Sequence, residues 1–318
     1  MLSAMMVPVR RQAAERFSQA AALLPWALRQ GAERLPETDK ARAEELRLRA
    51  GRPPTAVLPE GEVPLPGLEG ERVAGEDLRL VLEVATQASA HAVLDRVREG
   101  FVTVRGGHRV GLCGSTVCEN GVIRTLGSLS SLSIRVAREV PGAAAGVRPM
   151  LRDAGRTGGT VILSPPGGGK TTLLRDLIRR LSDGIEGPPL RVGVADERGE
   201  LAAMYDGLPM NDLGARTDVL DGCPKAVALK LLLRAMNPQV LAADEVAGPE
   251  DAAALEEAAG CGVALLCTAH AAGPEDLLCR PVFRRLVRRG VLSRAVVLTG
   301  RGEGRRWTLA ELGEGGPC

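Results

Sequence analysis

From Gly158 onward, short apolar runs alternate with stretches whose apolar positions recur every three or four residues. Thr160–Leu163, Leu190–Ala195, Gln239–Ala243, Val263–Thr268 and Arg294–Leu298 read as buried strands. Leu173, Leu174, Leu177, Ile178 and Leu181 share one face of a 3.6-residue period and predict a helix. Lys225–Met236 and Pro249–Ala259 predict two more, and Arg306–Leu309 a last short strand. Strand and helix in alternation predict a parallel sheet covered by helices.

Residues 1–140 have another texture. Gln12–Gln30 predicts a helix broken by Pro25 near Trp26. Glu45–Arg49 alternates charge and leucine, the period of a half-buried strand. Pro53–Gly70 predicts turns around a short strand at Ala56–Leu58. Glu76–Arg98 predicts a helix with a break near Ser89. Phe101–Arg105, His108–Cys113, Val122–Arg124 and Leu132–Val136 then predict short strands joined by Gly-rich turns. The expected organisation is a smaller α+β N-terminal domain (1–140), a linker and docking helix (141–157, the helix at Arg148–Ala154), a parallel-sheet domain (158–300), and a C-terminal strand and tail (301–318).

Composition narrows the classes. The 318 residues are 45% hydrophobic and 25% charged, the balance of a globular chain. A net charge of +2 gives no whole-molecule attraction to nucleic acid or anionic membrane. Aromatic content of 2% poorly supplies a base-stacking platform. The longest apolar runs, such as Val263–Cys267, are far below the ~20 residues of a membrane span. The N-terminus is apolar and then basic at Arg10-Arg11, the reverse of a secretory signal, so a cytosolic protein is expected. Cys113, Cys118, Cys223, Cys261, Cys267, Cys279 and Cys318 form no C-x-x-C pair. Reduced core thiols are expected in place of metal ligands. His91, His108 and His270 are too scattered to suggest a metal site.

Between the first predicted strand of the second domain and its helix lies Ser164-Pro165-Pro166-Gly167-Gly168-Gly169-Lys170-Thr171-Thr172. Glycines there free backbone N–H groups to curl around phosphates, and the helix N-terminus adds partial positive charge. Lys170 is placed to reach the β- and γ-phosphates of ATP, and the Thr171 hydroxyl to ligate Mg²⁺. The phosphate-loop pattern begins with glycine, and Ser164 departs from it. Because that position only opens the turn, the substitution bears on affinity more than on fold.

Val240-Leu241-Ala242-Ala243-Asp244-Glu245 is an apolar strand ending in two acids. Asp244 suits Mg²⁺ held partly through water, and Glu245 suits polarisation of an attacking water. Asp196-Glu197 ends the preceding strand, which makes Glu197 a rival to Glu245 as base. Thr268-Ala269-His270 ends the next strand, where His270 could sense the γ-phosphate. An arginine beyond that phosphate would supply further positive charge. Arg105, Arg109, Arg135, Arg138 and Arg216 are available, and Arg109 and Arg135 are the preferred pair. Arg284-Arg285-Leu286-Val287-Arg288-Arg289 reads as a solvated face, or as a surface for a partner or acidic lipid.

The stretches GGHRVGLCG (106–114), SLSIRVAREV (131–140), SPPGGGKTTLLRDLIR (164–179), VADERGELAA (194–203), GARTDVLDGCPKA (214–226) and LLLRAMNPQVLAADEV (231–246) resemble the stage III sporulation protein AA family of endospore formers. Through it the chain is similar to secretion-type ring ATPases. That resemblance implies an α/β fold with a RecA-like/AAA P-loop ATPase core. It implies a homohexamer in the mother-cell cytoplasm, peripheral to the membrane through channel proteins that link mother cell and forespore. ATP hydrolysis would power channel assembly or transport, with no stable nucleic-acid partner. The secretion relatives carry their acidic box where Asp196-Glu197 stands here. Two alternatives are a RecA-like ATPase driven by nucleic acid and a nucleotide-binding scaffold without turnover. The first would need stacking aromatics, and Phe17, Trp26, Phe101, Tyr205, Phe283 and Trp307 are few and scattered.

Overall fold

The computed structural model describes residues 2–87, 100–119, 122–150, 158–300 and 304–313. The chain divides into two units, one of Met1–Arg138 with Ala203–Met210, the other of Glu139–Ala202 with Asn211–Cys318.

The first unit begins with helices α1 (Leu2–Ala21), α2 (Trp26–Glu33) and α3 (Glu37–Lys40). Strands β1 (Glu45–Arg49), β2 (Thr55–Leu58) and β3 (Gly61–Pro64) precede helix α4 (Gly75–Thr86). Strands β4 (Phe101–Thr103), β5 (Arg109–Glu119) and β6 (Val122–Arg135) complete a sheet of order β3-β2-β1-β6-β5-β4. Its neighbouring strands are all antiparallel. Leu46 and Leu48 of β1 point inward and meet Leu132 and Ile134 of β6, Phe17 of α1, and Leu78 and Val81 of α4 in one core. The charges of β1 lie on the other face, as strict alternation requires.

The three short strands expected after residue 108 are one long hairpin of β5 and β6. The polar run Gly127-Ser128-Leu129-Ser130-Ser131 hid the continuity, since it has no apolar alternation. Its register shifts at Gly114, where an added Cβ would run into Ser128 O and lie 2.9 Å from Leu129 Cα. A small hairpin, β9 (Met204–Tyr205) with β10 (Leu208–Pro209), also belongs to this unit. The expected helix beyond Gln87 lies outside the described residues.

The second unit opens with α5 (Val147–Met150), and the rest of the helix expected at 148–154 is outside the described residues. Then come β7 (Gly159–Ser164), α6 (Lys170–Asp183), β8 (Val192–Asp196), β11 (Thr217–Asp221), α7 (Lys225–Ala235), β12 (Val240–Ala243), α8 (Pro249–Gly260) and β13 (Ala264–His270). Helices α9 (Pro274–Leu278) and α10 (Pro281–Arg288) lead to β14 (Leu292–Thr299) and β15 (Arg306–Glu311). The sheet order is β11-β8-β12-β13-β7-β14-β15, parallel except for the antiparallel pair β14 and β15. Val161 and Leu163 of β7 pack with Leu241, Leu265 and Cys267 and with Leu229, Leu232, Leu255 and Phe283 from helices.

The arginine-rich segment near residue 285 is α10, whose Phe283, Leu286 and Val287 are buried. Arg285 and Arg289 on its outer side both pair with Glu256 of α8, at 2.7 and 2.9 Å. The expectation of reduced core cysteines needs correction. Cys113, Cys118 and Cys261 are exposed, Cys223 is half-buried and Cys279 is disulfide-bonded, so among the described residues Cys267 is the one buried free thiol, its pKa pushed by desolvation to about 12. Cys113 and Cys118 lie in the mostly exposed outer part of β5.

Leu163→Ala removes a fully buried side chain from the strand that leads into the glycine loop. It is expected to lower unfolding free energy by about 2–5 kcal/mol, measured as a lower urea midpoint with an unchanged m-value.

Candidate nucleotide-binding site

Parallel pairing puts the C-terminal ends of β12, β13 and β7 side by side. The register sets Ala243 against Cys267, and His270 against Ser164. The residues that follow or end these strands are Asp244, Thr268, His270 and the glycine loop, so strand order alone gathers them at one edge.

The loop from Ser164 to Gly169 turns directly into α6. Gly167 and Gly169 have φ of +73° and +93°, which an L side chain would strain. Gly168 is required for another reason. Ser164 is fully buried, donates its Oγ to Pro165 O at 2.9 Å, and presses against Gly168. A Cβ on Gly168 would lie 2.7 Å from Ser164 Cβ and 3.1 Å from Pro165 O. The hydroxymethyl that replaces the usual first glycine therefore fits because residue 168 has no side chain.

Lys170 is the first residue of α6. Its Nζ donates to Ser164 O at 3.3 Å and lies 3.0 Å from His270 Nδ1. Burial lowers its pKa, against the pull of the Asp244 and Glu245 charges. Thr171 donates its hydroxyl to Asp244 Oδ2 at 2.7 Å. Thr268 donates its hydroxyl to the other Asp244 oxygen. Burial raises the Asp244 pKa, and the two hydroxyl hydrogen bonds oppose that shift.

Glu245 occupies the left-handed region at φ +50°, a conformation that costs an L-residue about 1–2 kcal/mol. Its N–H donates to Thr268 Oγ1 at 2.8 Å, and the following N–H of Val246 donates to Thr268 O at 3.0 Å. These bonds hold the turn that aims its carboxylate. One oxygen lies 2.9 Å from His270 Nε2, and the other accepts from Arg198 at 2.5 Å. Burial pushes its pKa up, but the His270 hydrogen bond and the charges of Arg198, His270 and Lys170 together leave it below the ordinary value. Lys170, His270 and Glu245 thus form one chain across the edge.

The acids of β8 divide their work. Asp196 is buried and its carboxylate accepts the N–H groups of Glu200 (2.8 Å), Leu201 (3.1 Å) and Ala202 (2.7 Å). Arg175 of α6 holds the same segment by donating to the carbonyls of Glu200 and Leu201 at 2.7 and 3.1 Å. Asp196 therefore shapes a loop. Glu197 projects into the same cleft as Asp244 and Glu245, where its carboxylate meets Lys225 Nζ at 2.5 Å. Arg198 and Lys225, which the strand and acid patterns did not single out, are the cations that balance the two candidate bases.

Four of the candidate arginines have partners within their own unit. Arg109 and Arg135 belong to the first unit, opposite one another in the β5–β6 register. Arg109 stacks over Phe101 at 3.8 Å from the ring centre, and Arg135 pairs with Glu45 at 3.3 Å. Arg138 donates to Ala43 O at 2.6 Å in the same unit. Arg216 donates to Ser182 O at 3.2 Å, at the far end of α6.

A family model described as sporulation stage III, protein AA matches residues 14–308. The chain belongs to this family. It is 37% identical over 271 residues to stage III sporulation protein AA of Bacillus subtilis (strain 168), covering 85% of the chain and 87% of that relative. A second relative, the uncharacterized protein ycf45 of Porphyra purpurea, is 30% identical over 164 residues, 51% of the chain and 28% of its own length. Among solved structures, the Legionella pneumophila ATPase DotB aligns with a TM-score of 0.54 at 15% identity, over 85% of this chain and 76% of its own. The pilus retraction motor PilT with bound ADP aligns at 0.57 and 16%, over 85% and 78%. These likenesses show the fold, an α/β RecA-like P-loop architecture with a mostly parallel sheet. No helix among the described residues is long and apolar enough to cross a membrane.

Gly168→Ala is expected to destabilise the chain by about 1–3 kcal/mol through overlap with Ser164. Ser164→Gly in the same chain should recover part of that loss. Thermal or urea unfolding of the four forms checks it, and strictly additive effects would contradict the contact.

Proposed function

We propose that this family member is a Mg²⁺-dependent ATPase of the ring-forming motor type. The observation that carries the reading is the pairing of Thr171 and Asp244 across 2.7 Å beside a glycine loop that ends in Lys170. A buried carboxylate whose burial disfavours its own charge is suited to a divalent cation, and a neighbouring hydroxyl completes that donor set. Ser164, Pro165, Pro166, Gly167, Gly168, Gly169, Lys170, Thr171 and Thr172 would enclose the phosphates of ATP, with Thr171 and Asp244 holding Mg²⁺. The ion, when bound, neutralises charge on the β- and γ-phosphate oxygens.

Glu245 is the proposed base: its carboxylate, held between His270 and Arg198 at the cleft, takes a proton from the attacking water. His270 reports the γ-phosphate, because it touches both Lys170 and Glu245. Glu197 keeps the second place, tied to Lys225 in the same cleft. Arg109 and Arg135 are the arginines proposed to complete the phosphate environment in the ring. The similarity to a pilus retraction motor with bound ADP supports a nucleotide-driven motor. The relationship to stage III sporulation protein AA supports a role in sporulation. On that basis the chain acts in the mother-cell cytoplasm as a homohexamer, held at the membrane by channel proteins, and energises assembly of the channel to the forespore or transport through it.

Phosphate release from ATP by the full chain tests the enzyme. Lys170→Ala is expected to reduce turnover at least a hundredfold. Glu245→Gln should do the same while ATP stays bound. Hydrolysis that survives Glu245→Gln and fails in Glu197→Gln would transfer the base to Glu197. Mass measurement with and without ATP and Mg²⁺ tests the ring, and a monomer under both conditions would contradict it.

A further inference from the structure

Arg305 immediately precedes β15, outside every motif of the glycine loop. Its guanidinium nevertheless occupies the space beside Gly169. A Cβ built on Gly169 would lie 2.6 and 2.7 Å from the two terminal nitrogens of Arg305. Gly169 therefore serves twice, once for its φ of +93° and once to admit this side chain. Arg305 Nε is buried without a hydrogen-bond partner, and no carboxylate among the described residues pairs with the group. A guanidinium has five donors, and one left unmatched beside a loop of backbone N–H groups is a cation prepared for an anion.

The sheet order says which part of the anion. In the sequence β12-β13-β7-β14, the acids, Thr268 and His270 come from strands on one side of β7. Arg305 follows β14, on the other side. On the proposed reading, the groups that would activate water, and with them the γ-phosphate, belong to the first side. Arg305 approaches the loop from the side away from them. On the reading that the loop binds ATP, we infer that Arg305 is a nucleotide-binding residue that grips the α- and β-phosphates, which ATP and ADP share.

Equilibrium binding of MgATP, MgADP, inorganic pyrophosphate and adenosine to the full chain tests this. Arg305→Ala is expected to weaken ATP and ADP alike, each by roughly tenfold or more, as loss of charge-assisted hydrogen bonds requires. Pyrophosphate should weaken with them, adenosine should not, and the loss in turnover should fall on KM more than on kcat. Arg305→Lys should recover part of the affinity, and it carries the comparison if the alanine variant unfolds. Unchanged ADP affinity in a folded variant would overturn the inference, as would weakening confined to adenosine or to kcat. A wild-type chain that bound none of the phosphates would overturn the nucleotide reading itself, a result distinct from wild-type binding that Arg305→Ala leaves intact.

Discussion

The Asp244 carboxylate is taken out of water at the tip of β12, and the site is organised around offsetting that cost. An ionised carboxylate in such a place must find donors or a cation. Two hydroxyls supply donors, from the first turn of α6 and from β13. Because Thr171 follows Lys170, that single bond also fixes the end of the glycine loop against the β12 edge. Because Thr268 additionally accepts the N–H of Glu245, the same contact turns the next carboxylate toward His270. Loop, acid and imidazole are positioned together, and disturbing Asp244 disturbs all three.

The charges around this centre are paired among themselves. Lys170 rests on loop carbonyls and His270, Glu245 is shared between His270 and Arg198, and Glu197 is bound to Lys225. Lys170 and Glu245 are joined through His270, so a displacement of Lys170 is felt by His270 and then by Glu245. The segment after β8 lies within the same reach, since Asp196 and Arg175 clamp Glu200–Ala202 just before the chain passes into the hairpin of the first unit. A short run of backbone thus links the acidic cleft to the hairpin at 203–210.

Much of the second unit was legible in the sequence because buried parallel strands are continuous apolar runs. Thr160–Leu163 and Gln239–Ala243 matched β7 and β12 to within one residue at each end. Strand β11 escaped because Thr217-Asp218-Val219-Leu220-Asp221 is an edge strand with polar positions, and the β5–β6 hairpin because its outer half carries serine and glycine where alternation was sought. The loop, Thr171 and Asp244 were readable because each is a local pattern. The chain Lys170–His270–Glu245 was not, since it depends on β13 lying between β12 and β7, and sequence spacing does not encode strand order. The cations Arg198 and Lys225 were invisible for the same reason.

Calorimetric titration of the full wild-type chain with ATP in Mg²⁺ tests the central claim most directly. One molecule of ATP per chain should bind, and chelation of the metal should weaken that binding sharply. Absence of saturable binding at millimolar ATP with Mg²⁺ present would contradict it.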